Sequence, residues 1–152
     1  MNERYMFRGK RLVSPDDTLD AGAWTYGYYT KKVRCTKDGA IIKIDAIENI
    51  AKIDGAAYAI HHEIDATTLS QCTGLKDKNG SLIFEGDILR IDNSHKVSVV
   101  FADTFHGLRF CYTFPEYLSN RDRHQQICKA DSKYSEVIGN VHDNPELLKE
   151  VQ

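Results

Sequence analysis

The chain has 152 residues, enough for one ordinary domain whose core needs no metal or disulfide to hold it together. Its 41% hydrophobic and 28% charged residues are typical of a globular protein and exclude a disordered chain. With 20 basic and 22 acidic residues the net charge is −2, so bulk charge alone predicts neither a nucleic-acid partner nor a membrane surface.

Alternating aromatic residues predict two strands at the start of the chain, over residues 4–12 and 23–30. A spacing of two residues puts the side chains of a strand on one face of a sheet. The connector between the two strands is rich in Ser, Pro, Asp and Gly, which is typical of turns. The aromatic residues of these rows are Tyr5, Phe7, Trp24, Tyr26 and Tyr28.

Residues 33–64 contain one clear turn and one ambiguous stretch. Asp38-Gly39 predicts a tight hairpin turn, because Gly adopts positive φ angles without steric cost. Isoleucines then recur in steps of three from Ile44 to Ile53, a spacing that also permits helical turns. For residues 45–64 strand and helix therefore both remain open.

The segment Thr73–Leu89, TGLKDKNGSLIFEGDIL, is the most patterned part of the chain. Asn79-Gly80 predicts a chain reversal, and Asp77 is expected to accept hydrogen bonds from the amides of that turn. We expect Phe84 and Ile88 to point inward, and Glu85 and Asp87 to lie on the solvent face. Two further strands are predicted over residues 96–102 and 107–114.

In the last third of the chain, some segments carry clear secondary-structure signals and others do not. Residues 115–129 are expected to form a short helix or a mobile loop. Residues 136–142 predict a strand in which Gly139 marks a bulge. Asn144, Pro145 and Glu146 predict a helix start, with the Asn144 side chain capping the free amides. Many short strands separated by turns predict a mainly β fold with minor α+β character, a small barrel or bent sheet with short helices.

Three stretches, in this order, resemble the YopX family of phage and prophage proteins. They are FRGKR at Phe7–Arg11 with WTYGYY at Trp24–Tyr29, then Thr73–Leu89, then EVIGNVHDNPELL at Glu136–Leu148. The resemblance implies a phage or prophage origin and a central part similar to an SH3-type barrel. We expect a single YopX-like domain over residues 1–152, with an N-terminal subregion 1–65 and an SH3-like core 66–149. The resemblance implies no activity and no catalytic residues.

The residues that usually carry chemistry lack the contexts that chemistry requires. The sequence contains no phosphate-binding glycine motif, no G-x-S-x-G motif and no C-x-x-C pair. Adjacent histidines such as His61 and His62 point to opposite faces of a strand, which disfavours a shared metal. We therefore expect no enzymatic activity, no metal and no cofactor. No export signal and no membrane helix is predicted, so we expect a location in the bacterial cytoplasm and reduced, buried cysteines.

Two basic groups are the remaining functional signal. Basic residues interleaved with aromatic residues are what single-stranded nucleic-acid binding requires. Our main hypothesis is a non-enzymatic interaction or self-assembly module, whose partner is a second copy or a phage or host protein. Binding of single-stranded nucleic acid is the alternative. The candidate partner-binding or nucleic-acid-binding residues are Arg8, Lys10, Arg11, Trp24, Tyr26, Arg121, Arg123 and Lys129.

Overall fold

A computed structural model describes residues 5–12, 21–91, 95–104, 107–113 and 124–149. Strands dominate these ranges, which confirms the mainly β fold. No helix among the described residues reaches the length and hydropathy that spanning a bilayer requires. The strands are β1 Phe7–Lys10, β2 Trp24–Cys35, β3 Ile41–Ile53, β4 Ala56–Glu63, β5 Ser70–Lys76, β6 Leu82–Phe84, β7 Asp87–Arg90, β8 Lys96–Thr104, β9 Gly107–Thr113, β10 His124–Gln126 and β11 Glu136–Asn140, with a short helix α1 at Lys129–Ser132 and 3-10 turns at Ala66–Thr68 and Pro145–Leu148.

The chain divides into two compact units, Met1–Gln71 (unit 1) and Cys72–Gln152 (unit 2). In unit 1 the strands are antiparallel in the order β4-β3-β2-β1, and the first residues of β5 pair with β1. In unit 2, the later residues of β5 pair with β6. Unit 2 also holds a five-stranded antiparallel sheet in the order β10-β9-β8-β7-β11. The described strands form open sheets and do not close into a barrel.

In unit 1, the pairing of β2 with β1 ends at Gly27, and its pairing with β3 begins at the next residue. Its residues 24–27 pair with β1, and its residues 28–35 pair with β3. At this change the two backbones approach so closely that a Cβ on Gly27 would lie 2.2 Å from the backbone oxygen of Glu48. Only a glycine leaves enough room for this approach of the two backbones. The absence of a side chain at Gly27 therefore allows β3 to pack closely against β2.

Residues 45–64, for which helix and strand both remained open, form a strand hairpin. The turn between β3 and β4 is Asp54-Gly55, whose φ angles are +50° and +82°. Asp38-Gly39, the same dipeptide, makes the predicted turn between β2 and β3, and Gly39 has a φ of +86°. In a strand, steps of three alternate between faces, so Ile47 and Ile53 share one face and Ile50 lies on the other. Ile47 is buried, whereas Ile50 and Ile53 are exposed where β3 extends beyond its pairing with β2.

The core of unit 2 lies on one face of its five-stranded sheet. Ile83 of β6 joins this core. Phe84 and Ile88 are also buried, as predicted. The hairpin of β5 and β6 reverses at Asn79-Gly80, also as predicted, with Gly80 at a φ of +84°. The buried residues of this cluster are Ile83, Leu89, Val97, Val99, Tyr112 and Ile127.

At the end of the chain, the structure confirms the predicted strand β11 but differs from the predicted helix start. The pairing of β11 with β7 shifts register between Val137 and Gly139, which confirms the bulge. Pro145–Leu148 forms only a 3-10 turn, and the Asn144 side chain makes no capping hydrogen bond to it. The predicted cap is wrong because the Asn144 amide oxygen accepts instead from the Asn140 backbone amide, at 3.4 Å.

The region predicted as a short helix or loop, 115–129, is described only from residue 124 onward. There, β10 pairs with β9 before α1 begins at Lys129. A strand at this position was not predicted. The signal is weak because, among the described residues 124–129, only Ile127 is a buried apolar residue.

Candidate functional site

The carboxylates of the Thr73–Leu89 segment support its turns. Asp77 is buried, and its Oδ1 accepts from the amides of Asn79 and Ser81, both at 2.9 Å, as predicted. Asp87, which we expected on the solvent face, is fully buried and accepts from the Phe84 amide at 2.8 Å. That expectation is wrong because satisfying the turn amide overrides the alternation of the strand. Glu85 is half-buried, and its carboxylate accepts from the Phe101 amide at 3.4 Å.

The four cysteines are free thiols in two different environments. Cys72 and Cys111 are buried, whereas Cys35 and Cys128 are exposed, so the prediction of buried thiols is wrong for the last two. Cys35 ends β2 beside the Asp38-Gly39 turn, and Cys128 precedes α1, both at the surface. Burial raises the pKa of the Cys111 thiol, which keeps it protonated and unreactive. No group of three or more metal-ligating side chains occurs within the described ranges.

Cations and aromatic rings share one face of β1 and β2. In the register of the two strands, Arg8 lies opposite Tyr26 and Lys10 lies opposite Trp24, so the four side chains project to the same side. The Arg8 guanidinium carbon is 4.6 Å from the centre of a Trp24 ring, and the Lys10 amine is 5.6 Å from it. Both distances allow cation–π attraction, which holds the two cations over the indole.

Exposure differs along this cation–aromatic face. Arg8 is buried, and Lys10 and Trp24 are half-buried. Tyr26 is exposed, and Tyr28, two residues further along β2, is exposed on the same face. The face therefore offers tyrosine rings to solvent, while its arginine is occupied with the tryptophan.

Of the remaining candidate binding residues, Arg11 does not lie on this face. Arg11 follows Lys10 by one residue and projects to the opposite side, where its Nε donates to Nδ1 of His62 at 2.9 Å. Phe7 also lies on that opposite side, 5.8 Å from the ring of Tyr29. Lys129 is exposed in α1 of unit 2. Arg121 and Arg123 lie outside the described residues.

Two hairpin ends of unit 1 are two-stranded ribbons. The first ribbon consists of residues 31–35 of β2 and 41–45 of β3, and the second of residues 49–53 of β3 and 56–60 of β4. Each ribbon extends past the point where a third strand pairs, so its two faces have few neighbours. A two-stranded hairpin is marginally stable in water by itself.

The ribbons expose large apolar side chains. Ile41 is 75% exposed, Val33 65% and Ile53 53%. From the register, these three side chains and Tyr58 project to the same side of the strands, whereas Ile50 projects to the other side. We name Val33, Ile41, Ile53 and Tyr58 the ribbon apolar set. Sequence reasoning missed it, although the second Asp-Gly dipeptide, Asp54-Gly55, signalled the second hairpin.

Charged and polar side chains pair with one another on the strands that carry these apolar residues. Lys31 lies 3.4 Å from Asp45, Arg34 lies 2.7 Å from Glu63, and the His61 imidazole lies 3.1 Å from Glu48. The Tyr29 hydroxyl also donates to Asp45, and this bond, with the Lys31 amine as a further cause, lowers the pKa of the Asp45 carboxyl. Several polar side chains of the ribbons therefore pair with one another, whereas the ribbon apolar set is exposed to solvent.

Comparisons with known proteins give one family and one structural likeness. A family model described as "YopX protein" matches residues 25–149. No curated protein matches the chain. Among solved structures, the chain is similar to the crystal structure of protein EF1440 from Enterococcus faecalis, with 27% sequence identity, a TM-score of 0.44, and coverage of 93% of this chain and 96% of that chain.

Proposed function

The chain belongs to the YopX family, and from this premise we propose that it acts as a non-enzymatic protein-interaction module through the ribbons of unit 1. The observation that carries the proposal is the ribbon apolar set. Val33 and Ile41 form one exposed apolar pair at the start of β3, and Ile53 with Tyr58 forms a second pair at its end. Exposed apolar side chains that cluster beyond a domain core are typical of protein–protein contact sites. A partner that covers Ile41 and Ile53 would remove apolar surface from water and would stabilise hairpins that are marginal alone.

The setting of this function is also part of the proposal. We propose that the protein is encoded by a bacteriophage or prophage and acts in the cytoplasm of the bacterial host. The family resemblance of the three sequence stretches supports that origin. The genes beside its reading frame test it, because phage structural or replication genes would be expected there.

A double substitution in the ribbons tests the interaction. Ile41→Thr with Ile53→Thr keeps β-branched residues at both positions and removes exposed apolar surface. The matched control is Leu108→Thr, which makes the same kind of change at an exposed residue of β9 in unit 2. We expect the wild type and the control to associate, with themselves or with a discrete protein of infected cells, and the double variant to lose that association. Association that the double variant retains in full would overturn the proposal.

A second candidate function is binding of single-stranded nucleic acid, favoured by the cation–aromatic face. Tyr26 and Tyr28 offer stacking surfaces on the face that also carries Lys10, the combination on which bases and phosphates bind together. The buried position of Arg8 weakens this candidate. Fluorescence anisotropy with labelled DNA and RNA strands tests it, and affinity should fall steeply with salt.

Matched variants locate that binding. Lys10→Gln and Tyr26→Ser should each weaken it, whereas Lys43→Gln, at an exposed residue of β3, should not. An anisotropy that stays constant at low salt removes the second candidate.

A further inference from the structure

β4 is an edge strand of unit 1 that lacks the usual protection of an edge. Among the described residues it pairs with β3 only, in an unbroken register from Glu63 opposite Ala46 to Ala56 opposite Ile53. Its stretch AAYAIHH, residues 56–62, contains no Lys, Asp, Glu, Arg or Pro and no bulge. Natural edges are commonly blunted by those features, so this strand is open to the addition of another strand.

The hydrogen bonds at the end of β4 show which backbone groups point outward. The Ile64 amide donates to the Asp45 carbonyl next to β3 at 3.0 Å, while the Glu63 carbonyl accepts from Leu12 on the outer side at 2.9 Å. Direction alternates along an antiparallel strand. The amides and carbonyls of Ala57, Ala59 and His61 therefore face away from β3.

We propose that a second copy of this chain adds its β4 antiparallel to this β4, about a two-fold axis at Ala59. The inference rests on the proposed interaction function and names its partner. In this register each outward residue meets an outward residue. Ala59 pairs with its own counterpart, and Ala57 pairs with His61 of the second copy.

The side chains of this register are self-complementary. Tyr58 lies directly across from Ile60 of the second copy, an aromatic and β-branched pair of the kind that stabilises antiparallel sheets. The uncharged character of residues 56–60 means that two copies bring no like charges together along the new strand pair. The apolar side of the second ribbon, with Tyr58 and Ile53, then becomes continuous across both copies.

The experiment uses proline at an outward amide. Ala59→Pro removes an N–H that faces the second copy and leaves the ladder with β3 intact. Gln126→Pro, on the edge strand β10 of unit 2, is the control. The Ile127 amide donates to the Phe110 carbonyl of β9 at 3.1 Å, so alternation directs the Gln126 amide away from β9. In sedimentation equilibrium we expect a concentration-dependent dimer for wild type and Gln126→Pro, and at least tenfold weaker dimerisation for Ala59→Pro.

A cross-linking measurement avoids dependence on proline. In a background with Cys35→Ser and Cys128→Ser, Ala59→Cys places two thiols at the two-fold axis, where the Cα atoms of a hydrogen-bonded pair lie about 5.5 Å apart. A short bis-maleimide should join the copies of Ala59→Cys and not those of Val33→Cys. A wild type that is monomeric at every concentration overturns the inference and leaves the interaction proposal to be decided by the ribbon variants. A dimer that cross-links through Val33→Cys instead overturns the β4 pairing while supporting the ribbons as the contact.

Discussion

The Oδ2 atom of Asp77 accepts a hydrogen bond from the backbone amide of Val137 at 3.0 Å, across 60 positions of sequence. Its Oδ1 atom accepts hydrogen bonds from the amides of Asn79 and Ser81 in the turn between β5 and β6. One carboxylate therefore ties that turn to the bulged strand β11 within unit 2. The bulge in β11 begins at Val137, where pairing with β7 is interrupted.

Removing the Asp77 acceptor should destabilise unit 2. Asp77→Asn replaces one acceptor oxygen by an NH₂ group and forces two donors together at the turn or at Val137. We expect a loss of about 1–3 kcal/mol in the free energy of unfolding, the cost of leaving such a donor unsatisfied. Urea unfolding measures it. Asp38→Asn, in the exposed Asp38-Gly39 turn, is the control and should change stability much less.

A methyl group at Gly27 should prevent β3 from packing as it does. A Cβ there would lie 2.2 Å from the Glu48 carbonyl oxygen, and backbone cannot move aside as a flexible side chain can. We expect Gly27→Ala to cost about 1–3 kcal/mol, as overpacking does. Gly39→Ala has open space around its Cβ and should cost only about 1 kcal/mol, from the positive φ. Equal losses in thermal unfolding would contradict the close approach.

Glu136 should make stability depend on pH in the acid range. Hydrogen bonds from Arg90 at 2.7 Å and from Lys78 at 2.8 Å hold the pKa of this carboxyl at about 2, below its ordinary 4.5. Because the folded pKa is the lower one, its contribution is complete above pH 4.5 and is lost as the pH falls from 4.5 towards 2.

The measurement is the free energy of unfolding against pH for wild type and Glu136→Gln. We expect a shallower slope between pH 4.5 and 2 in the variant. Glu146→Gln, an exposed carboxylate in the final 3-10 turn, should leave the slope of the wild type unchanged. Parallel curves for wild type and Glu136→Gln would contradict the ion pairs.

Tyr112 should tolerate loss of its hydroxyl but not of its ring. Within the described part of the chain the buried hydroxyl oxygen has no hydrogen bond of ordinary geometry. Burial, and next the Asp131 carboxylate, raise the pKa of Tyr112 to about 12, although the Ser135 side chain opposes the rise. Tyr112→Phe should keep or raise stability, because it removes a desolvated polar group. Tyr112→Ala should cost about 3–5 kcal/mol. A large loss for Tyr112→Phe in chemical unfolding would contradict this.

The sequence predicted the parts of the fold that local chemistry determines. Asn79-Gly80 and Asp38-Gly39 reverse the chain because their glycines supply positive φ angles. Gly139 marks the bulge for a different reason, close approach, since a Cβ there would lie 2.6 Å from the Asn144 side-chain oxygen. Ile47 and Ile50 could not be assigned to opposite faces, because steps of three suit a helix as well as a strand until the pairing partner is known. Asp87 was misplaced since its burial depends on one turn amide rather than on strand alternation.

The candidate site was harder to predict from the sequence than the fold was. Placing Arg8 and Lys10 beside Trp24 needed only the spacing of two and an antiparallel pairing. The two ribbons depend on where β2 stops pairing with β1 and with β3, and no local pattern encodes those points. The open edge at Ala59 likewise depends on which strand lies outside β4.

Trp24 is the only tryptophan in the chain, and it stands in unit 1 under two cations. Its emission is therefore an intrinsic optical label for one half of the protein, while circular dichroism averages over the strands of both. If the two signals follow one denaturation curve, the halves unfold cooperatively. If tryptophan emission changes at a different denaturant concentration, unit 1 has a stability of its own, and the difference between the midpoints measures how independent the two units are.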